Sequence, residues 1–244
     1  MDVFQHLLDE FDTLPQEQKT AEKEMHLEAD AMTIAIAGTD TTAAALTAAI
    51  WRLATHSQDV LKVREELESI AFDAEHPDHS KLGTLPYLRA VIDETLRLSP
   101  PAPSVGLVRT TPAEGMMIGA KRIPGGVDVA VPLYVVHHDA RFFVQPEEFL
   151  PERWTSRRKE LIKEGYTYAP FGIGPYKCVG QALALAEIRL AIARVVSEFD
   201  IRPGEGMTEG RFAEGQRDCL TLVYKDVIIV FRRREESEKA VVRG

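Results

Sequence analysis

Hydrophobic positions along the chain fall at helical spacing over much of its length. Val3, Phe4, Leu7, Leu8 and Phe11 recur three and four apart, and Pro15 closes the first helix they predict. A long second helix is expected over residues 20–55, acidic at its start and apolar nearly all round from Ala29 onward, the pattern of a helix buried through a domain. Ser57 is placed to cap a third helix over 58–72, with Asp59 in its first turn. A fourth opens at Pro86 and ends before Ser99-Pro100-Pro101.

Over 105–136 short β-rich runs replace this pattern, with Ile123-Pro124-Gly125-Gly126-Val127 as a turn between two strands. Residues 137–177 combine Pro, Gly and aromatic residues with little periodicity, which reads as a long ordered coil. A last helix is expected over 181–199. Residues 219–224 and 227–231 suggest a hairpin about Lys225-Asp226, followed by a solvated charge run, Arg232-Arg233-Arg234-Glu235-Glu236.

With 244 residues, 45% hydrophobic and 27% charged, the chain can bury a substantial core. A net charge of -9 argues against nucleic-acid binding, which needs a basic surface. Two cysteines, Cys178 and Cys219, make no disulfide framework and no zinc pattern, and they suit a reducing compartment. The acidic, amphipathic N-terminus lacks the features of a signal peptide. The longest apolar stretch, residues 31–38, is stopped at Asp40 short of a bilayer span, so the chain is expected to be soluble or at most peripheral.

The candidate chemistry centres on Phe171-Gly172-Ile173-Gly174-Pro175-Tyr176-Lys177-Cys178-Val179-Gly180. Gly172, Gly174 and Pro175 forbid regular structure and let the backbone approach a flat partner. The helix formers after Gly180 put Cys178 at a helix N-terminus, where the dipole favours a thiolate. A lone cysteine is more often a small buried hydrophobe, and on residue type alone that reading leads.

Ala37-Gly38-Thr39-Asp40-Thr41-Thr42 sits inside the long helix although its residues disfavour helix. Either Gly38-Thr39 ends one helix and Asp40 caps the next, or a widened turn uses hydroxyl and carboxylate to hold water and relay protons. Glu94 and Arg97 share one helical face among apolar neighbours, and Arg153 of Pro151-Glu152-Arg153-Trp154 is a candidate further partner. A buried acid with two arginines would pin the coil to the helix.

In order and approximate spacing, these segments closely resemble the cytochrome P-450 superfamily, over nearly the whole chain. The resemblance implies a mainly α fold with small β-sheets, the C-terminal portion of that fold from the oxygen-binding helix through the haem-binding loop to the C-terminal hairpin. It makes residues 1–244 a single partial domain lacking its N-terminal half. It implies haem b, with Cys178 as the iron's thiolate ligand, Phe171 against the sulfur, and Gly180 letting the next helix pass close under the macrocycle. Gly172, Tyr176 and Lys177 fall in the same cofactor loop, and Arg109 matches a strand arginine paired with a haem propionate. Asp40 and Thr41 look like the acid and alcohol of proton delivery, with Ala37 and Gly38 lining the oxygen side. Glu94, Arg97 and Arg153 look like a structural triad, and Ser104 to Leu107 like substrate contacts.

The implied activity is a monooxygenase that puts one oxygen atom of O2 into a small apolar organic substrate. Electrons would come from a separate flavin-containing reductase, for which Lys177 is a candidate landing point. For a full-length relative the implied location is the cytoplasmic face of the endoplasmic reticulum, with membrane contact only through the absent N-terminal part. Two departures stand out. Tyr176 replaces a commonly basic residue, so its phenol can hydrogen-bond a propionate but not pair with it; the Gly-Pro-Tyr run is similar to fungal microsomal-type members. The chain also holds about half of a typical member. A haem-binding module without turnover and a haem-free interaction fragment therefore stand beside the monooxygenase reading.

Overall fold

The computed structural model describes residues 3–104 and 108–234, and the chain divides after Thr41 into two compact units. In the first, α1 (Val3–Asp12) leads through Pro15 to a 3-10 turn, Gln16–Gln18. Lys19 joins this turn to α1 through Asp12 at 3.3 Å and lies over the Phe11 ring. The first part of α2 (Ala21–Thr55) completes the unit.

Neither the expected helix break nor the expected widened turn forms at 37–42, because α2 is regular α-helix throughout. The hydroxyls of Thr39 and Thr41 donate to the carbonyls of Ala35 and Ala37, each at 2.7 Å, and so stay satisfied inside the helix. The expected burial from Ala29 is also corrected: α2 buries residues only from Thr42 on. At 35 residues it contains a stretch long and apolar enough to cross a bilayer, which the expectation from residues 31–38 had excluded.

The second unit is built on helix packing. Ala45, Ala49 and Leu53 of α2 meet Val63 and Leu67 of α3 (Ser57–Ser69), Leu88, Ile92 and Leu96 of α5 (Pro86–Leu98), and Ile188, Ile192 and Val196 of α8 (Gln181–Glu198). His56, not Ser57, is the N-cap of α3. The helix also ends three residues earlier than expected, because Ala71 adopts φ 50° and Phe72 N–H returns to the Leu67 carbonyl at 3.0 Å. Between them, Asp78 caps the short α4 (His79–Leu82).

Leu85 offers α5 no side-chain cap. Glu66 of α3 supplies one instead, accepting the Tyr87 and Leu88 N–H groups at 2.6 and 2.8 Å. That bond fixes α5 against α3 from its first turn.

The strands form two-stranded antiparallel ribbons. β1 (Val108–Thr110) pairs with β4 (Asp128–Ala130) around the enclosed hairpin of β2 (Met116–Ile118) and β3 (Lys121–Ile123). Past Pro132 the expected strand character gives way to α6 (Leu133–His137). The coil over 138–180 carries a 3-10 turn at Pro151–Trp154 and the short α7 (Arg158–Leu161).

The hairpin expected about Lys225-Asp226 does not form. β5 (Phe199–Pro203) pairs with β8 (Ile229–Arg233), and β6 (Gln216–Cys219) pairs with β7 (Thr221–Tyr224) around Leu220 at φ 77°. Asp226, at φ 56°, lies between the two pairs. Before β6, α9 (Glu209–Glu214) places Phe212 between the rings of Trp51 and Tyr224, at 4.8 and 5.2 Å. Glu209 accepts from the Trp51 indole at 2.9 Å and from Arg52, which fastens this lobe to α2.

His137 ends α6 fully buried, and its Nε2 accepts the Ala169 N–H at 3.2 Å. That bond requires the neutral ring with its proton on Nδ1. Burial, helped by the charge of Arg97, lowers its pKa to about 4. The unfolded chain takes up this proton near the ordinary value of 6.5, whereas the fold resists until about 4. The stabilisation is therefore complete above pH 6.5 and is lost as pH falls toward 4, on the order of 3 kcal/mol in all. Urea denaturation at stepped pH should show His137→Gln losing less stability over this window than the parent chain; parallel curves would remove His137 as the cause.

Candidate functional site

The loop over 169–180 is closed by its own backbone. Gly172 N–H donates to the Ala169 carbonyl at 2.9 Å, Lys177 N–H to Gly174 at 3.1 Å, and Cys178 N–H back to Phe171 at 2.8 Å. Gly172 and Gly174 sit at φ 73° and 86°, where a side chain would be strained. Gly180 is the N-cap of α8. A methyl group there would stand 3.8 Å from the Cys178 sulfur, an ordinary van der Waals contact.

Cys178 is exposed, which excludes the buried-thiol reading. Around it the loop and the first turn of α8 present Ile173, Val179 and Leu183 to solvent, Val179 being 97% exposed. Phe171, by contrast, packs against the helical core. Apolar side chains beside an exposed thiol form an open surface suited to a flat apolar ligand.

Behind the loop, Glu94, Arg97 and Arg153 meet with their side chains fully buried. Glu94 accepts from Arg97 at 2.9 Å on both oxygens and from Arg153 at 3.0 and 3.2 Å. The Trp154 indole and the Leu150 N–H complete its shell at 2.9 and 3.1 Å. Arg97 extends to the carbonyls of His137, Pro146 and Glu148, and Arg153 to those of Val144, Gln145 and Leu161. The coil thus folds its own carbonyls onto two guanidinium groups held by one carboxylate.

Three anchors were missed in the sequence. Tyr168 donates its hydroxyl to Asp93 at 3.0 Å, Asp93 in turn receives Arg89 at 2.7 Å, and Tyr168 packs at 4.4 Å on the Trp154 ring. His137 holds Ala169 from the other side. Asp93 precedes Glu94 on α5, so neighbouring acids of one helix grip the coil and the start of the cysteine loop. Two adjacent acids directly after the apolar run Ala90-Val91-Ile92 were the available signal.

Arg109 on β1 gives Nη1 to the Val108 carbonyl at 2.9 Å and holds its guanidinium 4.9 Å from the centre of the Tyr176 ring. This stack joins the strand to the cysteine loop. Lys177 is exposed. Ala37, Gly38, Asp40 and Thr41 lie in the first unit, on the continuous helix, with Asp40 exposed. Of the candidate substrate contacts, Ser104 is half-buried, and 105–107 lie outside the described residues.

The donor set is one soft sulfur, an apolar surround and a guanidinium on an adjoining aromatic ring. It fits an iron macrocycle with acidic edge groups. A mainly helical protein with small sheets thus presents an exposed cysteine from a closed glycine loop.

The comparisons agree. The family described as Cytochrome P450 matches residues 1–227. A cytochrome P450 monooxygenase, FCK2, from Fusarium pseudograminearum is 39% identical over 96% of this chain and 42% of its own length. Tryprostatin B 6-hydroxylase of Aspergillus fumigatus is 38% identical over 89% of this chain and 39% of its own. Human cytochrome P450 3A7 is 36% identical over 83% and 40%. A crystal structure titled as a cytochrome P450, CYP102L1, superposes with a TM-score of 0.73 at 30% identity, over 83% of this chain and 44% of that one. The chain belongs to the cytochrome P450 family and spans about two fifths of the length of these relatives. The family implies a haem-iron cofactor.

Glu94→Gln removes the charge that balances two buried arginines. It should lower unfolding stability by about 3–5 kcal/mol, read by urea denaturation, whereas a loss below about 1 kcal/mol would show that carbonyls alone suffice for Arg97 and Arg153.

Proposed function

We propose that this chain carries the haem-thiolate part of a monooxygenase, with haem b held through Cys178. The observation that supports this best is the exposed sulfur of Cys178 on a loop closed by its own backbone and fastened to α5. When bound, the haem iron supplies O2 activation and oxygen transfer to a small apolar substrate, with electrons drawn from a flavin-containing reductase. Cys178 would supply the sulfur that holds the iron. Its loop, tied through Tyr168 and Ala169, anchors the backbone that carries the sulfur. Ile173, Val179 and Leu183, exposed near it in sequence, would give the bound macrocycle apolar contact.

Protons are assigned to Asp40 and Thr41. Asp40 is exposed, and Thr41 can accept at its oxygen while its hydroxyl donates to the Ala37 carbonyl at 2.7 Å. Ala37 and Gly38 add little bulk on the turn before them, and nothing lies within 4 Å of a methyl group built at Gly38. For a full-length relative we assign the cytoplasmic face of the endoplasmic reticulum.

The uncovered apolar flank of Cys178 favours a second reading, a haem-binding module without turnover. Expression with haem supply separates the two. Product formation after adding reductase supports the monooxygenase, and a thiolate-type reduced carbonyl spectrum without product supports the module. Cys178→His should abolish that thiolate signature while the protein stays folded, and an unchanged spectrum would exclude Cys178 as ligand. Thr41→Ala should keep haem uptake and divert reducing equivalents to peroxide, measured as peroxide formed per reductant consumed; coupling equal to the parent would remove Thr41 from the proton path.

A further inference from the structure

We propose that Tyr176 is the positioning residue for Arg109, and that ring and guanidinium act together as one clamp for a carboxylate at the edge of the bound macrocycle. This rests on the haem reading above. Arg109 is exposed on a three-residue strand, where a long side chain would ordinarily sample many rotamers. Instead its guanidinium lies 4.9 Å from the centre of the Tyr176 ring. The ring supports the guanidinium by cation–π attraction, and a group held by its face keeps its edge N–H donors free. One of those donors goes to the Val108 carbonyl, and no carboxylate pairs with Arg109 among the described residues. A fork held this way suits a planar carboxylate.

Tyr176 is itself held. It lies in the turn closed by the Lys177 N–H on the Gly174 carbonyl, two residues before Cys178. The proposed clamp and the proposed iron ligand therefore share one backbone-bonded loop. A macrocycle held by the sulfur would then find the clamp placed by the loop rather than by a flexible arginine. The phenol replaces a charge by a support: it contributes orientation, and Arg109 contributes the charge.

The test is haemin release from the chain, followed by capture with excess apomyoglobin, for the parent, Tyr176→Phe, Tyr176→Ala, Arg109→Ala and the double alanine variant. Each is repeated with haemin dimethyl ester, whose carboxylates are capped. Tyr176→Ala should speed haemin release about two- to fivefold, the size of an exposed cation–π contact. Tyr176→Phe should match the parent, Tyr176→Ala should add nothing to Arg109→Ala, and the ester should leave all variants at one rate. Equal acceleration with the ester, or additivity with Arg109→Ala, would overturn the clamp, as would Tyr176→Phe behaving like Tyr176→Ala. If the parent and Cys178→Ala give the same haemin spectrum, the haem reading fails and the clamp with it; a spectrum that depends on Cys178 with no effect at Tyr176 overturns the clamp alone.

Discussion

The second unit depends on one buried carboxylate. Glu94 is fully buried on α5, where a lone negative charge would be very unfavourable, and so would Arg97 or Arg153 alone. Together they are tolerable because nearly every donor has an acceptor. The guanidinium edges not taken by Glu94 go to backbone carbonyls over 137–161, and the indole of Trp154 returns to the carboxylate. A coil without regular hydrogen bonding thereby gains partners for its carbonyls. Order in the coil is thus a consequence of charge burial on α5.

That order passes to the cysteine loop in short steps. Asp93, beside Glu94, takes the Tyr168 hydroxyl; Ala169 is taken by His137, whose carbonyl is in turn held by Arg97. From Ala169 onward the loop closes on its own backbone as far as Cys178. The sulfur is exposed, yet its main chain is anchored to the buried ion cluster. A metal ligand needs both properties, since access without anchoring would let the donor swing away from the metal.

Much of this was legible in the sequence where a local rule governs. Pro86 opened α5 and Ser99-Pro100 closed it as predicted, and the glycines before Cys178 marked a turn that the backbone does make. Failures came where distant partners decide. Glu66 caps a helix whose own N-cap is a leucine, a contact between separate helices that no local pattern encodes. The strands after residue 199 were paired with the wrong neighbours, because apolar runs show that a strand exists without showing which strand it meets. The 37–42 segment misled for a subtler reason. Its threonines have low helix propensity on average, yet each of Thr39 and Thr41 satisfies its hydroxyl on the preceding turn and lets the helix continue.

The same chemistry bears on how the proposed cofactor would affect stability. Ile173, Val179 and Leu183 stand exposed on the loop and the first turn of α8, although side chains of this kind are normally removed from water. Covering them with a flat apolar ligand releases that water and gains roughly 25 cal/mol for each Å² buried. A ligand bound to the folded loop would have no comparable surface in the unfolded chain, so its binding energy would be added to folding. The buried ion cluster then supplies a definite shape, and the proposed ligand supplies the apolar contact that the flank of Cys178 lacks. Rigidity behind the sulfur and unmet hydrophobicity beside it are therefore complementary requirements of one site.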